Sequence, residues 1–248
     1  MFSDAYVSII LLASLSFFST IIGVGLAFYF KKSVNEIALG IGFSTGIMLL
    51  ISFFELIPES VGELGFSNAS LAIMLGIFFI AMLNLVIPHT HLLKEENKDN
   101  KKMIKAAYLI VFGLILHDFP EGFAMATSYI YDPSLGVFLA LAIALHNIPE
   151  EFAMAVPLLL ANKKKLVFQA AVLSALAEPM GAVLGLLAVS LFSNLEPFFM
   201  AFAAGAMIFI SLHELLPMAK KYKRTFLFSL GALSSIIVYV GLSLLILV

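Results

Sequence analysis

The chain has 248 residues, of which 62% are hydrophobic and 12% charged, and its mean hydropathy is +1.07. A soluble globule could not cover so much apolar surface with so few charges, so the composition indicates an integral membrane protein. The net charge of −2 offers no basic surface for nucleic acid, and the absence of cysteine excludes disulfides and thiolate metal sites.

Charge clusters and turn-forming residues divide the chain into eight apolar stretches, each near the roughly 20 residues that a transmembrane helix needs. The first stretch is too long for a signal-peptide core and follows no basic segment, so we expect it to be retained. We predict an all-α protein with a single transmembrane domain over residues 1–248 and a short cytoplasmic loop at 92–104. The predicted helices span 6–30, 36–58, 69–91, 105–129, 135–160, 166–192, 198–218 and 226–248.

The basic residues predict the orientation of these spans. All 14 Lys and Arg residues follow the odd-numbered spans. The charged residues in the loops after even-numbered spans are all acidic. Because basic loops stay in the cytoplasm, both termini are expected to be extracytoplasmic.

Two pairs of segments repeat within the chain. Residues 117–126 in span four read HDFPEGFAMA and match HNIPEEFAMA, residues 146–155 in span five, at seven of ten positions. Residues 43–58 in span two match residues 202–217 in span seven at eight of sixteen. Since the members of each pair run in opposite directions, we predict an inverted repeat of three helices, a central pair and three helices. Chance similarity would explain shared Leu and Ala, but not shared His, Pro and Glu, which are rare in such helices.

Seven histidine and acidic side chains fall inside spans four to six. A lone charge at the bilayer centre costs about 2.5–3.5 kcal/mol on insertion scales, so these side chains are expected to converge. They are His117, Asp118, Glu121, His146, Glu150, Glu151 and Glu178.

The spacing of these residues indicates a metal site. His117 and Glu121 are four residues apart and share one helical face, and His146 and Glu150 repeat that geometry. Imidazole nitrogen and carboxylate oxygen together suit Zn²⁺, Fe²⁺ or Mn²⁺. The ligand supply fits two adjacent metal ions, but the spacing alone does not decide between one and two.

At HDFPEG, HNIPEE, LAEP (176–179) and the HELLP of span seven, the chain resembles the ZIP family of zinc- and iron-regulated transporter-like proteins, most closely its bacterial zinc-uptake branch. The resemblance covers essentially the whole chain. It implies uptake of Zn²⁺ into the cytoplasm, often with Fe²⁺, Mn²⁺, Co²⁺ or Cd²⁺, by a multi-pass protein of a prokaryotic plasma or inner membrane.

The resemblance also implies ligand sets. One metal position takes His117, Glu121 and Glu150. A second, bridged to the first by Glu121, is surrounded by Asp118, Glu121, His146, Asn147 and Glu178.

Two residues depart from the family pattern. Asp118 stands where the family usually has Asn, and Glu151 stands where it usually has Gly. Both acids make the site more anionic, which favours harder ions such as Mn²⁺ or Fe²⁺. Because Asp118 and Glu151 each lie one step off the His/Glu face, either residue could line the pore or support the ligands.

Other polar residues are candidates for the path on either side of the site. Glu55 and Glu59 lie near the outer end of span two, where they attract cations or are simply interfacial acids. His213 and Glu214 resemble a family exit-side metal position. A cytoplasmic cluster follows span three and is interpreted as a solvated loop, with metal hand-off as the alternative; it comprises His89, His91, Glu95, Glu96 and Asp99.

We therefore predict a transporter rather than an enzyme, working by alternating access, with divalent metal ions, the lipid bilayer and a second copy of the chain as partners. A selective channel with the same ligands is an alternative. A membrane metalloenzyme and a proton exchanger are further alternatives, although the HExxH motif of intramembrane proteases is absent.

Overall fold

The computed structural model describes residues 2–30, 34–86, 100–160, 162–192, 194–217 and 223–248. The regular structure in these ranges is helical, as the apolar runs predict, and no strand occurs among them. The helices are α1 (Phe2–Ala13), α2 (Leu15–Tyr29), α3 (Val34–Ile51), α4 (Ile57–Val86), α5 (Asn100–Tyr131), α6 (Pro133–Leu160), α7 (Lys164–Leu191), α8 (Glu196–Ile210) and α9 (Thr225–Ile246).

A π-helical turn follows two of these helices. Ser52–Leu56 joins α3 to α4, and Ser211–Leu215 follows α8. The two turns occupy the same place in the repeated segments 43–58 and 202–217. Because π-turns within helices are frequent at functional sites, their shared position links the repeat to function.

Six stretches of the described residues are long and apolar enough to cross a membrane. They are Asp4–Tyr29, Asn35–Leu85, Pro133–Leu160, Lys164–Leu191, Glu196–Leu215 and Thr225–Ile246. The second stretch has 51 residues and contains most of the predicted spans two and three. Predicted span four lies within α5, a helix of 32 residues.

The connection that the sequence predicts between spans two and three, residues 59–68, is helical apart from one residue. Gly65 has φ 73° and ψ 160°. Residues with a Cβ atom rarely adopt this backbone conformation, whereas glycine adopts it without a steric penalty. The acids Glu59 and Glu63 suggested a longer loop. Continued helix satisfies their backbone groups by internal hydrogen bonds, so the break is confined to Gly65.

A tight connection joins α5 to α6. Asp132 Oδ1 accepts hydrogen bonds from the backbone N–H of Ser134 at 2.7 Å and of Leu135 at 3.4 Å, which makes Asp132 the N-cap of α6. Pro133 occupies the first helical position, where no N–H is needed. The cap and the proline together fix where the two repeat-bearing helices meet.

The predicted cytoplasmic loop at 92–104 differs at its end, because α5 begins at Asn100 and so includes residues 100–104. Residues 92–99 lie outside the described residues. The predicted cluster of His89, His91, Glu95, Glu96 and Asp99 lies outside them as well.

The helices pack chiefly in pairs. Among the described residues, α2 packs against α6, α5 against α7, α3 against α9 and α4 against α8. Glycine allows the backbones in the first two pairs to touch. A Cβ atom at Gly23 would lie 2.4 Å from the carbonyl oxygen of Ile148, and one at Gly181 would lie 2.1 Å from that of Phe119. Helices α5 and α6 also pack against each other, so their polar faces meet between α2 and α7.

Candidate metal centre

The polar residues that the sequence places in spans four to six are buried together with one from the π-turn after α8. Glu121 and His146 have no exposed surface, and Glu178 is 1% exposed. The other members of this group are also buried: His117, Asp118, Asn147, Glu150, Glu151 and Glu214. Buried charges are costly unless they are paired or bind a metal, so each of these side chains needs a partner.

Three of the residues form a compact ligand set. One ligand atom from each of Glu121, His146 and Glu150 lies within 4.8 Å of the other two. His146 and Glu150 come from successive turns of α6, and Glu121 comes from the matching turn of α5. The repeat brings the polar faces of α5 and α6 together, and His146, which the resemblance assigns to the second metal position, completes this set.

The hydrogen bond of His146 Nδ1 leaves Nε2 as the ring nitrogen that can bind a metal. His146 Nδ1 lies 3.0 Å from the backbone carbonyl oxygen of Ala142, and because a carbonyl only accepts, Nδ1 carries the hydrogen. Nε2 points at Glu121 Oε1, 3.1 Å away. Metal-binding histidines usually have this arrangement, in which a carbonyl fixes the tautomer and the other nitrogen faces the metal.

Carboxylate oxygens in the set lack protein donors. Neither oxygen of Glu150 has a hydrogen-bond partner among the described residues, and neither does Glu121 Oε2. An unpaired buried carboxylate is strongly disfavoured. A cation held by Glu121, His146 and Glu150 would supply the missing positive charge, and three mixed N/O ligands suit a borderline divalent ion.

His117 lies next to this set but contacts a residue of the π-turn after α8. Its Nε2 is 3.5 Å from Glu214 Oε2. Asn84 Nδ2 on α4 donates a hydrogen bond to Glu214 Oε1 at 3.3 Å. Glu214 therefore connects α5 to α4 through its contacts with His117 and Asn84.

Asn147 and Glu178, which the resemblance places at a second metal position, are in contact. Asn147 Nδ2 donates to Glu178 Oε2 at 3.1 Å. Asn147 Oδ1 is buried without a hydrogen-bond partner among the described residues. Asn147 lies on α6 directly after His146, and Glu178 lies on α7.

The two acids that depart from the family pattern share a different set of partners. Ser174 Oγ on α7 lies 2.5 Å from Asp118 Oδ2 and also contacts Glu151 Oε1. Thr20 Oγ1 on α2 donates to Glu151 Oε1 at 2.9 Å. Asp118 and Glu151 are thus joined through the hydroxyl of Ser174.

The remaining predicted residues lie towards the ends of the helices. His213 is exposed and stacks on Phe209, with 4.8 Å between ring centroids, so it does not share the burial of Glu214. Glu55 Oε1 accepts a hydrogen bond from the hydroxyl of Tyr239. Glu59 Oε2 accepts one from the hydroxyl of Tyr131 at 3.1 Å.

Sequence reasoning did not identify Thr20, Asn84 or Ser174. Ser174 precedes Glu178 by four residues and so shares its helical face, which is a pattern that could have drawn attention to it. Thr20 and Asn84 are single polar residues in apolar helices, and their partners are more than 100 residues away in the chain. No local spacing predicts such contacts.

The chain is similar over most of its length to known zinc transporters. Residues 88–248 match the family model described as ZIP Zinc transporter. The chain is 38% identical to Zinc transporter ZupT of Corynebacterium aurimucosum, with 86% of each chain covered. It is 34% identical to Zinc transporter ZupT of Stenotrophomonas maltophilia over 83% of each chain, and 35% identical to that of Chlorobium phaeovibrioides over 99% of each. The family model matches more than half of the chain and at least 83% of each of these relatives is covered, and we conclude that this multi-pass membrane protein belongs to the ZIP zinc transporter family.

Proposed function

We propose that the protein takes up divalent metal ions, Zn²⁺ foremost, through the site formed by Glu121, His146 and Glu150. The observation that carries this proposal is the convergence of three metal-ligating side chains, wholly or almost wholly buried, two of which have carboxylate oxygens without a protein donor. Three relatives that the chain matches over most of its length are zinc transporters by name. Mixed imidazole and carboxylate ligands also accept Fe²⁺, Mn²⁺, Co²⁺ and Cd²⁺, so we propose these as competing substrates.

Eight membrane crossings fit the helices best. As one straight helix, Asn35–Leu85 would extend about 77 Å. That is more than twice the roughly 30 Å of a bilayer core, so the break at Gly65 separates two crossings. With α5 as a further crossing, the described residues would make eight crossings. Basic residues then lie on one side, which supports extracytoplasmic termini. The bacterial relatives support a prokaryotic plasma or inner membrane.

The packing supports an inverted repeat of three, two and three helices. Gly23 of α2 approaches Ile148 of α6, and Gly181 of α7 approaches Phe119 of α5. Ile148 and Phe119 occupy the same position in the repeated segments 146–155 and 117–126. Exchanging the two halves of the chain thus converts one helix contact into the other, as the repeat requires.

We propose alternating access as the mechanism. Glu55 and Glu59 attract the hydrated ion at the outer side, and the ion loses water to Glu121, His146 and Glu150 near mid-membrane. The ion then passes to the side where His117 and Glu214 meet. Because Glu214 follows α8 and the ligands belong to α5 and α6, relative movement of these helices would make or break this step.

We also propose a second metal position next to the first. Glu178 and the unpartnered Oδ1 of Asn147 would supply oxygen ligands there, on the neighbouring face of α6. Occupancy of both positions would neutralise more of the buried acid than one ion does.

Metal uptake into proteoliposomes tests the proposed function. The purified protein is supplied with Zn²⁺ in competition with Fe²⁺, Mn²⁺, Co²⁺ and Cd²⁺, and we expect saturable uptake that Glu121→Ala reduces by about 100-fold or more. Losing a residue that only supports a ligand already costs about 10- to 100-fold. Glu36→Ala removes an exposed acid at the start of α3 and serves as the matched control. Absence of uptake, or uptake that survives Glu121→Ala, would refute the proposal.

The same preparation separates the alternatives. A carrier shows saturation and counterflow of metal, whereas a channel conducts without counterflow. Proton flux without metal would favour an exchanger, and metal-dependent oxidation of an added substrate would favour an enzyme.

A further inference from the structure

The helices form two groups, and the internal repeat relates two interfaces between these groups. Helices α2, α5, α6 and α7 pack with one another, and so do α3, α4, α8 and α9. Between the groups, α3 packs against α6 and α8 packs against α5. Residues 43–58 match 202–217, and residues 146–155 match 117–126, so the repeat converts the α3–α6 interface into the α8–α5 interface.

A hydrogen bond crosses the α3–α6 interface at the residue that supplies the proposed imidazole ligand. Ser44 Oγ on α3 donates to the backbone carbonyl oxygen of His146 on α6 at 2.9 Å, and neither residue has exposed surface. One turn earlier on α3, Gly40 allows a close approach, because a Cβ atom there would lie 2.7 Å from the Cβ atom of Pro149. The turn of α6 that carries His146 is therefore held by a helix of the other group.

The α8–α5 interface cannot form the same hydrogen bond. The repeat places Ala203 where Ser44 stands, and His117 where His146 stands. Ala203 is as fully buried as Ser44, but its methyl side chain offers no donor to a carbonyl oxygen. Because the difference lies in the sequence, it persists in every conformation that the helices adopt.

Glu55 and Glu214, another pair of positions that the repeat relates, have the same side chain but different partners. Glu214 Oε2 lies 3.5 Å from His117 Nε2, across the interface between the groups. Glu55 Oε1 instead accepts a hydrogen bond from Tyr239, which lies in its own group of helices. Identical side chains with different partners indicate that the two halves of the chain adopt different conformations in this structure. In an inverted-repeat transporter, the opposite-facing state exchanges the conformations of the two halves.

We propose that Ser44 is a positioning residue for transport, whose hydroxyl holds the turn of His146 and so favours the present conformation over the opposite-facing one. This rests on the alternating access proposed above, since movement of α6 relative to α3 would break the hydrogen bond. In the opposite state, α8 and α5 would adopt the present arrangement of α3 and α6, where Ala203 provides no bond in compensation. The two states therefore differ by one neutral hydrogen bond, which changes their ratio by about two- to tenfold.

The distance between two spin labels measures the ratio of the two conformations. The chain has no cysteine, so Phe66→Cys on α4 and Leu191→Cys on α7 place one label at an exposed position of each group. Double electron–electron resonance on this protein in lipid nanodiscs, without metal, gives the population of each distance. In this labelled background, Ser44→Ala should lower the ratio of the present to the opposite conformation by about two- to tenfold.

A second variant acts at the related interface. Ala203→Ser adds the missing hydroxyl there, so it should stabilise the opposite conformation and change the ratio in the same direction as Ser44→Ala. The double variant moves the hydroxyl from one interface to the other, and its effect should be the product of the two single effects. Ser235→Ala is the matched control, because its hydroxyl is equally buried but bonds to Ala232 within α9; the ratio should stay the same.

Zn²⁺ binding separates this role from a merely structural one. Glu121, His146 and Glu150 are unchanged in every variant, so each variant should bind Zn²⁺ as the wild type does. The proposal is overturned if Ser44→Ala leaves the ratio unchanged or loses Zn²⁺ binding, or if Ala203→Ser does not change the ratio in the same direction. Should one variant fail to fold, the other decides. Zn²⁺ uptake by the wild type judges the proposed function separately, because uptake can persist when Ser44→Ala leaves the ratio unchanged, and the ratio can change in a protein that takes up no Zn²⁺.

Discussion

His117 Nε2 lies 3.5 Å from Glu214 Oε2, and this contact joins α5, which carries the proposed metal ligand Glu121, to the π-turn that follows α8. Glu214 is held on its other oxygen by Asn84. The acid is therefore positioned next to the proposed Zn²⁺ site without belonging to the set formed by Glu121, His146 and Glu150. That position suits a residue that accepts the ion after the site has released it.

Glu214→Gln should slow transport more than it weakens binding. Losing a hydrogen bond to a charged group costs about 1.5–3 kcal/mol, so we expect the maximal uptake rate to fall by about 10- to 100-fold. Zn²⁺ bound at equilibrium should stay the same, because Glu121, His146 and Glu150 are intact. Uptake rate and bound metal are measured on the same preparation. Glu196→Gln, at the other end of α8, is the control, and equal losses of rate and binding would contradict the assignment.

Glu150→Gln should remove the stabilisation that Zn²⁺ gives to the folded protein. A ligand present at 100 times its dissociation constant stabilises the native state by about 2.7 kcal/mol. Both oxygens of Glu150 lack a protein donor, so the amide should cost little stability without metal but lose its share of the binding energy. The melting temperature with and without Zn²⁺ gives the result. A full Zn²⁺-induced shift in the variant would exclude Glu150 as a ligand, and Glu36→Gln should retain the shift.

Much of this site can be predicted from the sequence because the spacing of residues within each helix determines which side chains share a face. The four-residue spacing of His146 and Glu150, and its repetition at His117 and Glu121, place side chains on one face of each helix. The repeat then predicts that the two faces meet, which the grouping of Glu121, His146 and Glu150 matches.

The features that the sequence did not reveal depend on contacts between distant segments. The contact of His117 with Glu214 depends on how α5 packs against α8, and no spacing encodes that. The sequence does not predict that the break is confined to Gly65, because the polar residues around it suggest a loop as readily as a helix end. Local patterns therefore predict which faces are polar, while packing decides which partner each polar group receives.

Gly181→Ala should destabilise the contact between α5 and α7. The added Cβ would lie 2.1 Å from the carbonyl oxygen of Phe119, so the two backbones must separate. Overpacking of this kind costs about 1–3 kcal/mol, which we expect to appear as a lower melting temperature in detergent. Gly241→Ala is the matched control, because a Cβ added there would meet nothing within 4 Å and alanine is the better helix former. Equal stability of the two variants would show that α5 and α7 are not packed this closely.

Replacing Glu55 and Glu59 together by Gln should weaken the capture of metal at low salt. Both acids lie near the outer end of the predicted span two, where negative charge raises the local concentration of cations. We expect the half-saturating Zn²⁺ concentration for uptake to rise by about tenfold at low ionic strength while the maximal rate is unchanged. At about 1 M salt the screening length falls to about 3 Å, and the difference from the wild type should disappear. Initial uptake rates across a Zn²⁺ series at both salt concentrations measure this, with Glu36→Gln as a charge-matched control. A difference that persists at high salt would mean that these acids hold the structure through Tyr239 and Tyr131 rather than attract the ion.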